Sequence, residues 1–166
     1  MTKTELVKIL GPANNFTKLR QEVLECFEKY SNGNNQIMLQ TLQEGVEDWC
    51  TGVGSIEKLN IKQEDDYLHI QPSLKGSLIE ELILGLKGYR TRIMRMKPIS
   101  CYSVHKDFSP RVHIPITTNA ESFMIWPIHQ VTTQLKPGII YWTDTTKSHT
   151  AINGGDTDRI HIVTCI

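Results

Sequence analysis

The sequence has 166 residues, which is enough for one domain with a buried core. Its 18 Lys and Arg residues balance its 18 Asp and Glu residues, so the charge indicates neither a nucleic-acid partner nor an anionic membrane surface. No apolar run could span a bilayer, the N-terminus lacks the apolar core of a signal peptide, and the four cysteines show no zinc-type spacing. We therefore expect a cytoplasmic protein with free thiols and with no nucleic-acid or membrane partner.

The first 89 residues favour helices joined by short strands and loops. Apolar residues at three- and four-residue steps predict helices over residues 4–10, 16–30 and 76–88. Shorter apolar stretches predict strands over residues 37–42 and 67–70, and a Gly-rich polar stretch predicts a loop over residues 44–59.

After Tyr89 the hydrophobic period changes to two and mostly stays there. It predicts strands over residues 90–96, 102–108, 111–117, 123–128, 130–135, 139–142 and 159–166. Many short strands separated by turn residues are typical of a β-sandwich or barrel, a group that includes jelly rolls and cupins. The predicted fold class is α+β. We expect a single domain, residues 1–166, in which mainly helical residues 1–89 brace a jelly-roll core of residues 90–166.

Three residues of the second half have the chemistry of a metal site. His105 and Asp107 are two residues apart in a predicted strand, so their side chains should point to the same face. Further along the chain, His149 can complete a three-ligand face. Two imidazoles and one carboxylate on one face of a metal are diagnostic of non-haem Fe(II) oxygenases. The alternative is that His105 and Asp107 are ordinary residues of an exposed strand face.

Arg159 follows His149 by ten residues and could bind a carboxylate through two parallel hydrogen bonds. In its predicted strand, Ile160 and Ile162 alternate with polar residues, and one of the two faces must be interior. If the Arg159 face is interior, the guanidinium needs an anionic partner. If it is exposed, a surface carboxylate is the usual partner of such an Arg.

Arg111 and His113 alternate with aliphatic residues in the predicted strand 111–117. Two interpretations are open: their face is exposed to solvent, or it faces a cavity while the aliphatic face packs against other elements. Trp126 is either a core residue or part of a cavity mouth. Arg92 belongs to a basic cluster that is either solvated or provides an anchor for an anionic substrate.

The order and spacing of these residues resemble the Fe(II)/2-oxoglutarate-dependent oxygenases. Within that superfamily, Arg111-Val112-His113-Ile114-Pro115-Ile116 is most similar to the aspartyl/asparaginyl β-hydroxylase-like branch, and the resemblance covers residues 90–166. It implies a double-stranded β-helix, with Fe(II), 2-oxoglutarate and dioxygen as cofactor and co-substrates.

The resemblance also implies a role for each residue. The implied metal ligands are His105, Asp107 and His149, and no catalytic side chain is implied beyond them. Arg159 would bind the far carboxylate of 2-oxoglutarate, while Arg111 and His113 would contact the end that chelates iron.

The implied activity is hydroxylation of a small molecule or peptide, with an amino acid or an Asp/Asn-type side chain of a peptide or protein as the substrate. Two alternatives remain open on the sequence. One is a cupin-type metal protein that does not use 2-oxoglutarate, and the other is a non-catalytic jelly-roll binding module whose His and Asp residues are incidental.

Overall fold

The computed structural model describes residues 1–54 and 64–166, and within them the chain forms three α-helices and twelve β-strands. In chain order these elements are α1 (Lys3–Leu6), β1 (Val7–Pro12), α2 (Phe16–Tyr30), β2 (Gln36–Met38), β3 (Gln40–Thr41), β4 (His69–Ile70), α3 (Leu78–Leu86), β5 (Tyr89–Met96), β6 (Ser100–Cys101), β7 (Arg111–Thr117), β8 (Ser122–Trp126), β9 (Val131–Thr133), β10 (Ile139–Thr143), β11 (Thr150–Asn153) and β12 (Arg159–Cys165). None of the described helices is long and apolar enough to cross a membrane.

The chain divides into two compact units. The first comprises Met1–Ala13 and Arg95–Ile162, and the second comprises Asn14–Met94 and Val163–Ile166. The N-terminal thirteen residues therefore belong with the later strands, whereas the sequence assigned them to the helical support. That the whole chain is one domain stays a prediction.

Two sheets build the first unit. One orders its strands β1-β10-β7-β12, and the other orders them β6-β11-β8-β9. Within the first sheet, β10 pairs antiparallel with both β1 and β7, and Tyr141 lies opposite His113. Within the second, β8 pairs antiparallel with both β11 and β9. These pairings fix which residues of distant segments lie side by side.

The core of the first unit is a cluster of buried apolar residues to which both of its sheets contribute. Its members are Leu6, Met96, Met124, Trp126, Leu135, Tyr141 and Ala151. Trp126 of β8 is fully buried, and its indole Nε1–H donates to the carbonyl of Asp144 at 2.9 Å. Burial of apolar surface of this kind stabilises the fold and holds the two sheets against each other.

The second unit contains α2 and α3 together with the strand pairs β2–β5 and β3–β4. The apolar stripe of α2 is buried at Leu19, Val23, Cys26 and Phe27, as its helical spacing predicts. A buried ion pair joins Arg90 and Glu64 at 2.7 Å, and the same guanidinium donates to the carbonyl of Gly52. A buried charge of this kind is tolerated because the guanidinium is paired with a carboxylate and bound to backbone carbonyls.

Three expectations on secondary structure are wrong. The helix over residues 4–10 ends at Leu6, and Val7–Pro12 forms β1 because its backbone groups pair with β10. Residues 102–108 form no continuous strand, and His105 there makes a single bridge to His149. Strand β11 follows His149 directly, where the sequence indicated no strand.

The predictions for the other segments fare better. Helices α2 and α3 lie within the predicted ranges 16–30 and 76–88. The strand over 37–42 is divided into β2 and β3, which are buried rather than alternating. Residues 44–54 of the predicted loop contain no helix or strand, and residues 55–59 of it lie outside the described residues.

Candidate active site

His105 and His149 are joined directly through their backbones. The N–H of His105 donates to the carbonyl of His149 at 3.0 Å, and the N–H of His149 donates to the carbonyl of His105 at 2.9 Å. This antiparallel bridge brings the two rings together, with 4.4 Å between their centroids. Residues that exchange both hydrogen bonds are held at a fixed separation by the main chain.

Asp107 joins the two histidines from the next position on the same side of the segment. Its N–H donates to the carbonyl of Thr145 at 2.9 Å, which continues the pairing begun at the bridge. Its carboxylate lies 3.7 Å from Nε2 of His105 and 3.9 Å from Nε2 of His149. The three side chains thus present ligand atoms that all lie within 4.8 Å of one another.

The tautomers of both histidines suit a metal. Nδ1 of His105 lies 2.8 Å from the carbonyl of Ser103, and Nδ1 of His149 lies 3.0 Å from the carbonyl of Lys147. Because a carbonyl oxygen only accepts, each Nδ1 carries a proton, and in the neutral form of each ring Nε2 keeps its lone pair. A hydrogen bond on the second ring nitrogen is the usual device that orients a metal-bound imidazole.

The surroundings of His149 favour the neutral ring, which is the form that binds a metal. Burial is the main cause that lowers the pKa of His149 below its ordinary value of 6.5, although the nearby Asp107 acts in the opposite direction. A neutral ring offers its lone pair to a cation without first losing a proton. Two neutral imidazoles and one carboxylate on one side of a metal form the donor set typical of non-haem Fe(II), so these three residues fit that ion.

Arg111 contacts the carboxylate of this set. Its Nε lies 3.3 Å from Oδ2 of Asp107, and its Nη1 donates to the carbonyl of Ser109 at 3.1 Å. The backbone of Arg111 is in turn bound by Thr143, whose hydroxyl donates to the Arg111 carbonyl at 3.0 Å. The guanidinium therefore contacts the carboxylate of the candidate ligand Asp107.

The side chains of Arg111 and His113 are buried. The interpretation in which their face of β7 is exposed to solvent is therefore wrong. The ring of His113 lies edge-on to that of His161, with 5.8 Å between the centroids and an 80° angle between the planes.

Arg159 is buried at the start of β12, with 6% of its surface exposed. Its Nη2 lies 3.2 Å from Nδ1 of His161, and among the residues that the structure describes no carboxylate forms an ion pair with it. Burial lowers the pKa of Arg159 to about 10, so the guanidinium is still charged at neutral pH. An interior cation of this kind has high affinity for an anion that can enter.

The sequence matches a family model described as aspartyl/asparaginyl beta-hydroxylase over residues 13–166. The chain belongs to this family. The resemblance drawn from the sequence is thereby confirmed, and the match extends well beyond residues 90–166. A search of curated proteins finds no match.

Solved structures of low identity are similar to this β-hydroxylase family member along nearly its whole length. The viral collagen prolyl hydroxylase of Paramecium Bursaria Chlorella virus-1, in its 2OG complex, is 11% identical with a TM-score of 0.53, and the match covers 97% of each chain. A prolyl-4-hydroxylase of Pseudomonas putida is 11% identical with a TM-score of 0.50, covering 96% of this chain and 90% of that one. AviO1 of Streptomyces viridochromogenes is 10% identical with a TM-score of 0.52, covering 97% and 90%.

These similarities show a shared fold, the double-stranded β-helix or jelly roll, and they confirm the predicted fold class. As a member of the β-hydroxylase family, the protein is a hydroxylase that depends on Fe(II), 2-oxoglutarate and dioxygen. This assignment excludes both alternatives left open by the sequence, the cupin-type metal protein without 2-oxoglutarate and the non-catalytic binding module.

The two residues considered for substrate binding lie in different surroundings. Trp126 is in the core of the first unit, with its ring centroid 6.3 Å from that of His149, a position that favours the core interpretation. Arg92 belongs to the second unit, where it is buried on β5 and its Nη1 lies 3.5 Å from Oε1 of Gln36. The interpretation of Arg92 as a solvated surface residue is therefore wrong.

Sequence reasoning missed one residue of the site, His161. It is one of the polar residues that alternate with Ile160 and Ile162 in its strand, and it contacts both Arg159 and His113. The signal was present in the spacing, because positions i and i+2 of a strand share a face.

Proposed function

We propose that this enzyme hydroxylates an amino acid, or an Asp/Asn-type side chain of a peptide or protein, at a centre formed by His105, Asp107 and His149. The observation that supports the centre is the convergence of the three ligand atoms within 4.8 Å. The family description supports the substrate class. When bound, Fe(II) and 2-oxoglutarate would supply the oxidant, from dioxygen, that hydroxylates an unactivated C–H bond and leaves succinate and carbon dioxide.

The protein's own contribution is to orient the groups of the site. The carbonyls of Ser103 and Lys147 hold the Nδ1 protons of the two histidines, whose Nε2 atoms lie 3.7 Å and 3.9 Å from the carboxylate of Asp107. Arg111 contacts Oδ2 of that carboxylate through its Nε. A site that is oriented before its ligands arrive needs little rearrangement when they bind.

Arg159 is proposed to bind the far carboxylate of 2-oxoglutarate. Its burial without an ion-pair partner in the described part of the chain supports this role, because a dicarboxylate would supply the missing negative charge. Arg111 and His113, both buried on β7, are proposed to contact the other end of the co-substrate.

The substrate is proposed to reach the metal centre from the side of His105. The side chain of His105 is 41% exposed and that of Asp107 is 21% exposed, whereas that of His149 is 6% exposed. Val104 and Phe108 flank the two accessible ligands, and their side chains are exposed.

The test is an anaerobic titration of the metal-free protein with Fe(II) and then with 2-oxoglutarate, followed by visible absorbance. Chelation of iron by a 2-oxo acid gives a weak metal-to-ligand charge-transfer band, which we expect in the wild type. Air is then admitted with free Asp, free Asn or short peptides containing either residue, and succinate and the hydroxylated product are measured by mass spectrometry. Iron uptake without the band would disprove the proposed co-substrate site, and the band without any hydroxylated Asp or Asn product would disprove the substrate class.

A further inference from the structure

His161 is a buried histidine whose role is not explained by metal binding. It lies two residues after Arg159 on β12, so the two side chains share one face of the strand. His161 is 1% exposed, and its Nδ1 lies 3.2 Å from Nη2 of Arg159. It is the one residue in the described part of the chain that makes a side-chain hydrogen bond to this guanidinium.

The direction of this hydrogen bond follows from the chemistry of arginine. A guanidinium has five N–H donors and no acceptor, so Nδ1 of His161 must accept. The ring proton of a neutral His161 is therefore on Nε2. This tautomer is the opposite of the one held by His105 and His149, in which Nδ1 carries the proton.

The surroundings of His161 keep its ring neutral. Burial holds the pKa of His161 well below the ordinary value of 6.5, and the charges of Arg159 and of a protonated His113 would lower it further. The edge-on contact with His113, 5.8 Å between centroids, limits the rotation of the ring. His161 thus offers Arg159 a fixed, uncharged acceptor.

We infer that His161 is a positioning residue that fixes the orientation of the Arg159 guanidinium for the far carboxylate of 2-oxoglutarate. This inference rests on the proposed function. One N–H of Arg159 donates to His161. This hydrogen bond sets the plane of the guanidinium and leaves the other N–H groups of Arg159 for the carboxylate. A neutral acceptor achieves this without cancelling the positive charge, whereas an Asp or Glu at position 161 would compete with the co-substrate.

Three substitutions at position 161 distinguish a role of His161 as hydrogen-bond acceptor from a role in packing alone. In His161→Asn the side-chain oxygen lies at the position of Nδ1, so the bond to Arg159 can be kept. In His161→Gln the oxygen lies at the position of Nε2, and His161→Leu has no acceptor at all. We expect the Kd for 2-oxoglutarate to rise about tenfold in the Gln and Leu variants, as for loss of one hydrogen bond to a charged group, and to stay within about twofold of the wild type in Asn.

The measurements are the Kd for 2-oxoglutarate of the anaerobic Fe(II)-loaded protein, the Kd for Fe(II) itself, and steady-state turnover. The Fe(II) affinity and kcat at saturating 2-oxoglutarate should stay near the wild-type values in all three variants, while KM for 2-oxoglutarate follows its Kd. Equal weakening of 2-oxoglutarate by all three variants would overturn the inference in favour of packing. Wild-type affinity in all three would overturn it as well.

Two further results distinguish this inference from the proposed function. If the wild type binds Fe(II) but no 2-oxoglutarate, the proposed co-substrate site fails, and the inference fails with it. If Arg159→Met weakens 2-oxoglutarate and His161→Leu does not, the proposed site stands and the role of His161 alone is overturned.

One measurement requires no substitution and so does not depend on the folding of a variant. The ¹⁵N chemical shifts of the histidine side chains in the metal-free protein report which ring nitrogen carries the proton. We expect the Nε2–H form for His161 and the Nδ1–H form for His105 and His149, which serve as internal references. An Nδ1–H form of His161 would overturn the inference.

Discussion

Nε of Arg111 lies 3.3 Å from Oδ2 of Asp107, so a buried guanidinium is bound to the carboxylate that stands between the two histidines of the candidate metal centre. The relationship gives Arg111 a role in the metal site in addition to its proposed contact with 2-oxoglutarate. The oxygen that Arg111 contacts, Oδ2, also lies 3.9 Å from Nε2 of His149.

Replacing Arg111 should therefore weaken metal binding before any co-substrate is added. We expect the Kd of Arg111→Gln for Fe(II) to rise about tenfold or more, because partners that orient metal ligands typically contribute that much to affinity. Titration of the metal-free protein under anaerobic conditions measures it. Arg95→Gln is the matched control, since Arg95 lies 3.9 Å from the half-exposed Asp158 at the surface. Equal affinities in wild type and Arg111→Gln would show that Asp107 needs no orienting partner.

Replacing any one of the candidate metal ligands, whether buried or accessible, should abolish both iron binding and turnover. Asp107→Ala and His149→Ala each remove one donor of the set, and two donors do not define the facial arrangement. Iron content after loading and gel filtration, together with succinate formation, measures both effects. Asp158→Ala removes a half-exposed carboxylate from the same unit and should behave as wild type. Stoichiometric iron in Asp107→Ala would mean that the metal is held elsewhere.

Arg159→Met should weaken the binding of 2-oxoglutarate without lowering the stability of the ligand-free protein. The variant should retain Fe(II) and lose at least about 100-fold in affinity for 2-oxoglutarate, because a bidentate charged contact is removed. In the absence of 2-oxoglutarate its Tm should equal or exceed that of the wild type, since a buried cation without a carboxylate partner costs stability and Met is apolar and of similar length. Thermal unfolding with and without 2-oxoglutarate checks both parts. A large fall in Tm without ligand would indicate that Arg159 stabilises the fold itself.

The stability of the metal-free protein should fall as the pH decreases below about 6.5, the ordinary pKa of a histidine. Burial holds the pKa of His161 far below that value in the folded protein, so the unfolded chain takes up a proton that the folded one does not. The neutral His161 contributes its full share to the free energy of unfolding at pH values above the pKa of the unfolded chain. As the pH falls from there toward the pKa in the folded protein, this share decreases by at most about 1.4 kcal/mol per pH unit per histidine. Urea unfolding between pH 7.5 and 5.5 measures the slope, and His161→Asn should reduce it. An unchanged slope in that variant would assign the effect to other residues.

Trp126 should behave as a core residue. Trp126→Phe removes the hydrogen bond to the Asp144 carbonyl and leaves space beside Met124 and Tyr141, which should lower the free energy of unfolding by about 1–3 kcal/mol. The KM for the primary substrate should not change. Denaturant unfolding and steady-state kinetics test these two expectations. A rise in KM with unchanged stability would instead support the cavity-mouth interpretation.

The parts of the fold that the sequence predicts are those with strong local patterns. Helices α2 and α3 are predicted from their apolar residues, and the structure adds an N-cap to α3 at Ser77, whose side chain accepts from the N–H of Glu80. Strand β1 is not predicted, because its conformation depends on β10. Val7 lies opposite Thr143, a partner at the far end of the sequence that no local pattern can indicate.

The sequence predicts that the side chains of His105 and Asp107 point the same way because it assumes that both lie on a β-strand. The spacing of His105 and Asp107 does bring them together, but on a segment with one bridge rather than on a strand. What aligns them is pairing with His149 and Thr145 across the site. The contact of Arg111 with Asp107 follows from the bend at Phe108 and Ser109, and alternation in β7 gives no information about it.

The hydrogen bonds at Nδ1 of His105 and His149 have a consequence for the evolution of the site. Both are accepted by main-chain carbonyls two residues earlier, those of Ser103 and Lys147. Every amino acid carries such a carbonyl, so sequence drift at positions 103 and 147 can proceed without changing the tautomer of either ring. The partners that prepare the two histidines are thus inherited with the path of the backbone, and homologues could share them while sharing neither side chain.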